Sequence, residues 1–387
     1  MNCKYKFLLH IIMIFFTCIS CVKVRYQNEI NNQNEIVIQV NSANIKTFDN
    51  KEFQGDYLSI IKYVPLETTD ESLIGDIKKV YLFEEKIIIF DKKTERVLLF
   101  NNDGRFICQI GQNGPGPDDY MILNDIFFEE SSKLIYVHER VKNIIIIYTL
   151  EGRIVDKIKP NFMFNSFCKT KDGFWLYTCF NYNNVNGYNL MLVDSTMKKM
   201  IGGYLPQHPN FVNVEFGKVR FRFDSDGIPY FTYPTSNCVY KLDNSIPEIF
   251  YRIDFGNKNA PYNELEKLAS IEEYNKIMEN DYYIISDYYI WNKILIFSFT
   301  ESSLYKPHKL YKAYYDQNVA KLEIYKSVIL SKEIPTNTIL DISDKYLIYC
   351  VFPFEIGREN HEYMEKQISK TINEEDNPIL IICSPKI

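Results

Sequence analysis

After an apolar start, the chain alternates short apolar runs with polar turns, and the runs repeat. Val80-Tyr81-Leu82-Phe83, an acidic turn at Glu84-Glu85 and Ile87-Ile88-Ile89-Phe90 have a counterpart in Ile126-Phe127-Phe128, a turn at Glu129-Glu130 and Leu134-Ile135-Tyr136-Val137. Each pair is followed by another apolar run, 96–100 and 144–148, then by Asn102-Asp103-Gly104-Arg105 and Leu150-Glu151-Gly152-Arg153, then by a fourth run, 106–110 and 154–158. The two glycines stand 48 residues apart. Runs of this length rich in Ile, Val, Tyr and Phe predict strands, and turns with Gly or Asp at their tips predict antiparallel pairing. Four short strands in a unit of this size make one blade of a β-propeller.

The pattern continues less regularly. Blade three is predicted at 162–168, 174–180, 190–194 and 200–205, and blade four at 219–223, 229–233, 239–242 and 249–255. Blade five falls at 282–289, 294–299, 310–315 and 321–330, and blade six at 338–342, 346–352 and 379–383. Blade six lacks one strand, while Lys62-Tyr63-Val64-Pro65-Leu66 has no blade of its own. The economical solution is that this segment completes blade six and closes the ring, which removes exposed sheet edges. The predicted fold class is an all-β, six-bladed propeller of four antiparallel strands per blade, with two helical insertions, at 265–278 and 363–372, where apolar residues recur at helical spacing.

Strand alternation sorts the connections. With strands a to d numbered outward, a–b and c–d turns share one end of the ring, and b–c and d–a connections share the other. The first set is short; the long segments 111–121, 181–187, 207–213, 256–280, 301–309 and 353–377 all belong to the second. The long-loop end is therefore expected to hold the principal cleft, because binding elements concentrate in loops on rigid scaffolds.

The first residues differ in kind. Lys4 and Lys6 precede an apolar run, 7–16, interrupted only by His10. It is too short to span a bilayer as a helix and suits a secretion signal. Cys18-Ile19-Ser20-Cys21 follows and resembles a bacterial lipobox. The predicted organisation is a signal peptide, 1–20; a lipidated tether, 21–35, rich in Asn and Gln; and the propeller, 36–387. Lipid on Cys21 is then the membrane partner, and Val22 in place of an acid after Cys21 points to the outer membrane facing the periplasm. Firm anchoring takes more than one acyl chain.

The chain has a formal charge of −6, and residues 1–20 hold two lysines and no acid, so the remainder stands at −8. That sign argues against nucleic acid as a partner. Cys108, Cys168, Cys179, Cys238, Cys350 and Cys383 lie in apolar runs at irregular spacing, which predicts buried thiols rather than a disulfide framework.

Tyr63-Val64-Pro65-Leu66-Glu67-Thr68 and Ile110-Gly111-Gln112-Asn113-Gly114-Pro115-Gly116-Pro117-Asp118-Asp119-Tyr120 resemble the six-bladed β-propeller lipoproteins of Bacteroides and relatives, and the second stretch resembles the glycine-rich loop of NHL-type repeats. The resemblance covers 36–387 and implies fold more than function. Gly114-Pro115-Gly116 lacks the third glycine and following helix of a dinucleotide fingerprint. Asp224-Ser225-Asp226-Gly227 begins like a calcium loop but lacks its downstream carboxylates, so a tight turn is expected. No nucleophile, P-loop or zinc motif occurs, the histidines His138, His208, His308 and His361 are isolated, and no cofactor or metal is expected. The expected function is a lipid-anchored binding or scaffolding propeller whose ligand is a glycan, a peptide or a partner protein. The alternative is a metal-dependent hydrolase, since propellers resembling lactonases hold a metal on the axis; whether the protein is an enzyme stays open. Tyr120, Arg140, Tyr182, His208, His308 and His361 are the candidate ligand-binding residues at the long-loop end.

Overall fold

The computed structural model describes residues 30–41, 45–46, 58–178, 187–207, 221–233, 236–261, 270–277, 279–291, 293–302, 309–326, 339–342 and 346–385. Three strands come first: β1 (Ile36–Gln39), β2 (Ile45–Lys46) and β3 (Leu58–Pro65). Blade one is β4 (Ile77–Phe83), β5 (Lys86–Asp91), β6 (Arg96–Asn101) and β7 (Phe106–Gln109). Blade two is β8 (Leu123–Glu129), β9 (Leu134–Glu139), β10 (Ile144–Tyr148) and β11 (Ile154–Ile158). Blade three is β12 (Ser166–Thr170), β13 (Gly173–Tyr177), β14 (Tyr188–Val193) and β15 (Met200–Pro206). Blade four is β16 (Phe221–Phe223), β17 (Pro229–Thr232), β18 (Cys238–Lys241) and β19 (Glu248–Asp254). Blade five is β20 (Tyr282–Trp291), β21 (Ile294–Ser302), β22 (Lys309–Asp316) and β23 (Lys321–Lys326). Blade six is β24 (Ile339–Ile342), β25 (Leu347–Val351), β26 (Ile379–Pro385) and, from the other end of the chain, β3.

Within each blade the strands pair in meander order, and the first strands touch one another around the axis. The middle strands read as continuous apolar runs because each is covered on both faces by neighbouring blades. Ile88 and Phe90 of β5, for example, pack with Ile126 and Val137 of blade two, while Ile87 and Ile89 face Leu380 and Ile382 of blade six. Outer strand β11 has one such neighbour fewer, and Ile154 and Val155 are exposed.

Closure follows the sequence-based expectation. β3 pairs antiparallel with β26, with Pro65 opposite Ile379, Val64 opposite Leu380 and Lys62 opposite Ile382. Blade one then seats on β3: the turn glycine Gly104 has φ +85°, and a Cβ there would lie 2.1 Å from the Pro65 carbonyl oxygen. Only glycine suits both the backbone and the approach.

Two features depart from the expected four strands per blade. β1 adds in parallel outside β19, and β2 in parallel outside β23, so blades four and five carry a fifth, outermost strand. Residues 30–35, placed in the tether by composition, also lie on blade four: Asn31 bridges to Glu248, and Glu35 pairs with Arg252. Helix α1 (Ile271–Ile277) occupies the d–a connection between blades four and five. Helix α2 (Arg358–Ile368), in the b–c connection of blade six, buries Met364 over that blade's core. Cys168, Cys238, Cys350 and Cys383 are buried thiols and Cys108 a half-buried one; Cys179 lies outside the described residues. Asp224 closes a tight turn, its Oδ1 accepting from Asp226 N and Ile228 N.

Candidate functional site

Each inner strand places one polar residue near the middle of the ring: Lys79, Asp125, Ser166, Arg222, Asp287 and Asp341, from blades one to six in turn. They form two bonded groups. Lys79 Nζ lies 2.8 Å from Asp125 Oδ1 and donates to the Ile126 carbonyl, and Ser166 Oγ donates to Asp125 Oδ2 at 2.6 Å. Burial alone would raise the Asp125 carboxyl; the charges of Lys79 and Lys78 and the bonds from Lys79 and Ser166 outweigh it and hold the group below its ordinary value. On the other side Arg222 reaches Asp341 at 3.1 Å and Asp287 at 3.3 Å, donates to the Leu340 carbonyl, and lies over the Tyr289 ring at 4.1 Å. The Tyr289 hydroxyl lies within hydrogen-bonding reach of Asp287 Oδ2 and of the Ile339 carbonyl, and its one O–H serves one of them at a time. Lys79, Asp125, Ser166 and Arg222 are buried, as are Cys168, Tyr288 and Tyr289 beside them. The axis is filled by side chains that stitch blades together.

The carboxylates at the ends of the second strands are also committed. Asp91 accepts from Gly75 N, Asp76 N, Lys93 N and Thr94 Oγ1. Glu139 accepts from Val141 N and Lys142 N. These acids shape the long-loop end by capping the turns that follow them. His138, next to Glu139, stacks on Phe164 with centroids 4.0 Å apart and bonds Asn143; burial pushes its imidazole down to about 4. Among the described residues no group of three or more His, Cys, Asp or Glu is arranged to hold a metal.

The antiparallel register sends b–c and d–a connections to one end, as strand alternation predicts, and the strand ends joined by 179–186, 208–220, 262–269 and 303–308 all lie there. The glycine-rich connection between blades one and two is held tightly. Asp119 Oδ2 accepts from Gly116 N, and a Cβ on Gly114 or Gly116 would stand 2.5 or 2.6 Å from that oxygen. Lys142 donates to the carbonyls of Gly116 and Asp119, and Lys157 pairs with Asp118.

Of the six candidate binding residues the structure describes three: Tyr120, Arg140 and His361. Tyr120, expected near the mouth, is instead fully buried beneath its loop, its hydroxyl donating to the Ile110 carbonyl and accepting from Gln109. Arg140 is exposed at the b–c turn of blade two. His361 is half-buried on α2 of blade six, 3.7 Å from Glu365. Tyr182, His208, His308 and Cys21 lie outside the described residues. A cavity of about 750 Å³ opens at the short-turn end, between blades three and four, against Asn31, Gln33, Lys171, Asp172, Asn244 and Glu248. It is at the opposite end from the expected cleft, and β1's approach to blade four creates one of its walls.

Sequence reasoning missed the axial residues. The signal they carry is a polar residue inside an otherwise apolar inner strand, as with Arg222 between Phe221 and Phe223.

Residues 30–384 match the model of a family described as a domain of unknown function, DUF4934. Among solved structures the chain is similar to a Bacteroides fragilis protein described as exported, at 17% identity and a TM-score of 0.71 over 91% of this chain and 100% of that one. It is also similar to a DUF4221 family member from Bacteroides vulgatus, at 9% identity and a TM-score of 0.53 over 86% and 99%. These likenesses establish the fold. A search of curated proteins gives no match.

Proposed function

This chain belongs to the DUF4934 family, and on that premise we propose that it is a lipid-anchored binding or scaffolding propeller of the cell envelope, held through Cys21 and offering its long-loop end to a glycan, a peptide or a partner protein. The observation that carries this reading is where the chain joins the ring. Asn31 N donates to the Pro247 carbonyl at 3.0 Å, and Ile249 N donates to the Asn31 carbonyl at 2.8 Å. From there β1 runs parallel to β19, away from the short turns. Ile30 therefore stands at the short-turn end. Cys21 precedes it by nine residues, at most about 32 Å of chain. A lipid on Cys21 keeps the short-turn end near the bilayer and leaves the long-loop end open to a partner.

The state of the polar groups favours binding over hydrolysis. The acids that a metal-dependent propeller would turn toward the axis are here bonded to backbone N–H groups, to Lys79 or to Arg222. An exported Bacteroides neighbour agrees with an envelope location, and the outer membrane facing the periplasm is the proposed site. In the native host Cys21→Ser is expected to move the protein from the membrane fraction to the soluble one. Equal membrane retention of the variant and the wild type would overturn the anchor.

A further inference from the structure

From Ile30 onward the chain joins the ring one blade at a time. β1, starting at Ile36, lies parallel outside β19 of blade four; β2, starting at Ile45, lies parallel outside β23 of blade five; β3, starting at Leu58, is the outer strand of blade six. Followed toward the N-terminus, this belt steps back one blade for every thirteen and then every nine residues. A further step of that size from Ile36 reaches residues 23–27 and blade three. Ile30 is already beside that blade. It packs against the cluster that holds Tyr204 of β15, together with Met200 and Leu205 of the same strand, and it shares a cavity with Lys171 and Asp172 of blade three.

Blade three has an edge that calls for cover. β15 is seven residues long, Met200–Pro206, and carries no charge. Among the other outer strands with no strand added, β7 has only four residues, β11 carries Asp156 and Lys157, and β3 carries Lys62. Among the described residues no backbone hydrogen bond reaches β15 from outside its own blade, and Ile201 is 42% exposed. A long uncharged edge is a template for a further strand.

Residues 22–29 lie outside the described residues, but their sequence fits that edge. Val22, Val24 and Tyr26 alternate with Lys23, Arg25 and Gln27, the period of a half-buried strand, and they fall in phase with Ile30. β1 shows such alternation in place: Ile38 and Val40 are buried, and Val37 between them and Ile36 is exposed. Eight extended residues span about 26 Å, against about 23 Å for the seven of β15.

We propose that residues 22–29 add in parallel to the outer edge of β15 as a fifth strand of blade three. The segment is too polar to fold alone, and a sheet edge supplies the main-chain partners it lacks. Cys21 then sits at the short-turn end of blade three with no free linker before the ring. A lipid on it pins that rim to the bilayer. This consequence rests on the proposed anchor; the docking itself does not.

Amide-resolved hydrogen exchange on the full chain in detergent tests the docking. The β15 amides that face away from β14 are expected to exchange at least about tenfold more slowly than the β11 amides that face away from β10, whose edge stays open. Val24→Pro removes a donor and the strand conformation from the segment, and deletion of residues 22–29 removes the segment itself. Each should bring the two edges to the same rate while the inner strands keep theirs. Equal rates at the two edges in the unsubstituted chain, or slow exchange at β15 that survives either variant, overturns the inference. Absence of protection in a chain that Cys21→Ser releases from the membrane overturns the docking and leaves the anchor standing. Protection in a chain whose Cys21→Ser variant stays on the membrane overturns the anchor and leaves the docking standing.

Discussion

Deleting residues 36–68 is expected to abolish the cooperative unfolding of the entire ring. The segment is short, but β3 supplies the last strand of blade six, and its neighbours lock blade six to blade one. Val64 and Leu66 are each 1% exposed, within a cluster shared by both blades. Beyond β3, the Asn377 side chain donates to the Glu67 and Ser72 carbonyls and accepts from Ile74 N, and Glu67 accepts from Phe106 N. Burying the two aliphatic side chains alone is worth about 3–6 kcal/mol, against a typical total of about 5–15 kcal/mol for a domain. Their loss also bares the hydrogen-bonding edge of β26. Circular dichroism of the truncated chain should show no sharp transition in urea. A truncated protein that unfolds with the midpoint of the full chain would contradict the closure.

Arg222→Ala is the single substitution with the largest expected cost, about 3–5 kcal/mol in urea denaturation. The guanidinium is 4% exposed and joins blade four to blades five and six through Asp287 and Asp341. Burial alone would lower its pKa, but Tyr289, Asp287 and Asp341 around it raise it above the ordinary arginine value, so the side chain is a fixed charge. Its removal leaves Asp287 and Asp341, on neighbouring blades, without the cation bonded to both, and only the more distant charge of buried Lys312 still acts on Asp287. Arg222→Lys keeps the charge but cannot reach both acids and the Leu340 carbonyl at once, so an intermediate loss is expected. A cost under about 1 kcal/mol would mean that Asp287 and Asp341 are solvated well enough to stand alone, and the axis would then return as a candidate ligand site.

The blades were legible because their signal is local. Runs of Ile, Val, Phe and Tyr between Gly and Asp turns repeat at a fixed period in 80–158, and later blades keep the runs after the period drifts. The placement of loops on two ends needed only the alternation of strands, so it held where side-chain positions did not. β1 and β2 escaped because a short strand added in parallel to a sheet edge carries no pattern of its own: two residues of β2 pair with Ile324 and Tyr325 from nearly three hundred positions away. The axial groups escaped for a related reason. Lys79, Arg222 and Asp341 meet partners on other blades, and only the packing of blades around the ring brings them within reach. Tyr120 shows what a local pattern leaves out. Its place after Asp118 and Asp119 in a glycine-rich loop puts it at the long-loop end, but not whether its side chain points out, and the loop folds over it and uses its hydroxyl to satisfy the Ile110 carbonyl.

The central claim is that one end of the ring works while the other faces its anchor. Photo-cross-linking in living cells tests it most directly, with a cross-linking residue placed in turn at Lys93 and Val141 on the long-loop end and at Asp226 and Val319 on the short-turn end. All four are exposed, so reactivity reports proximity rather than folding. The expected result is a discrete macromolecular adduct from Lys93 and Val141 and none from Asp226 and Val319. Adducts of equal yield from both ends, or from Asp226 and Val319 alone, would contradict the account.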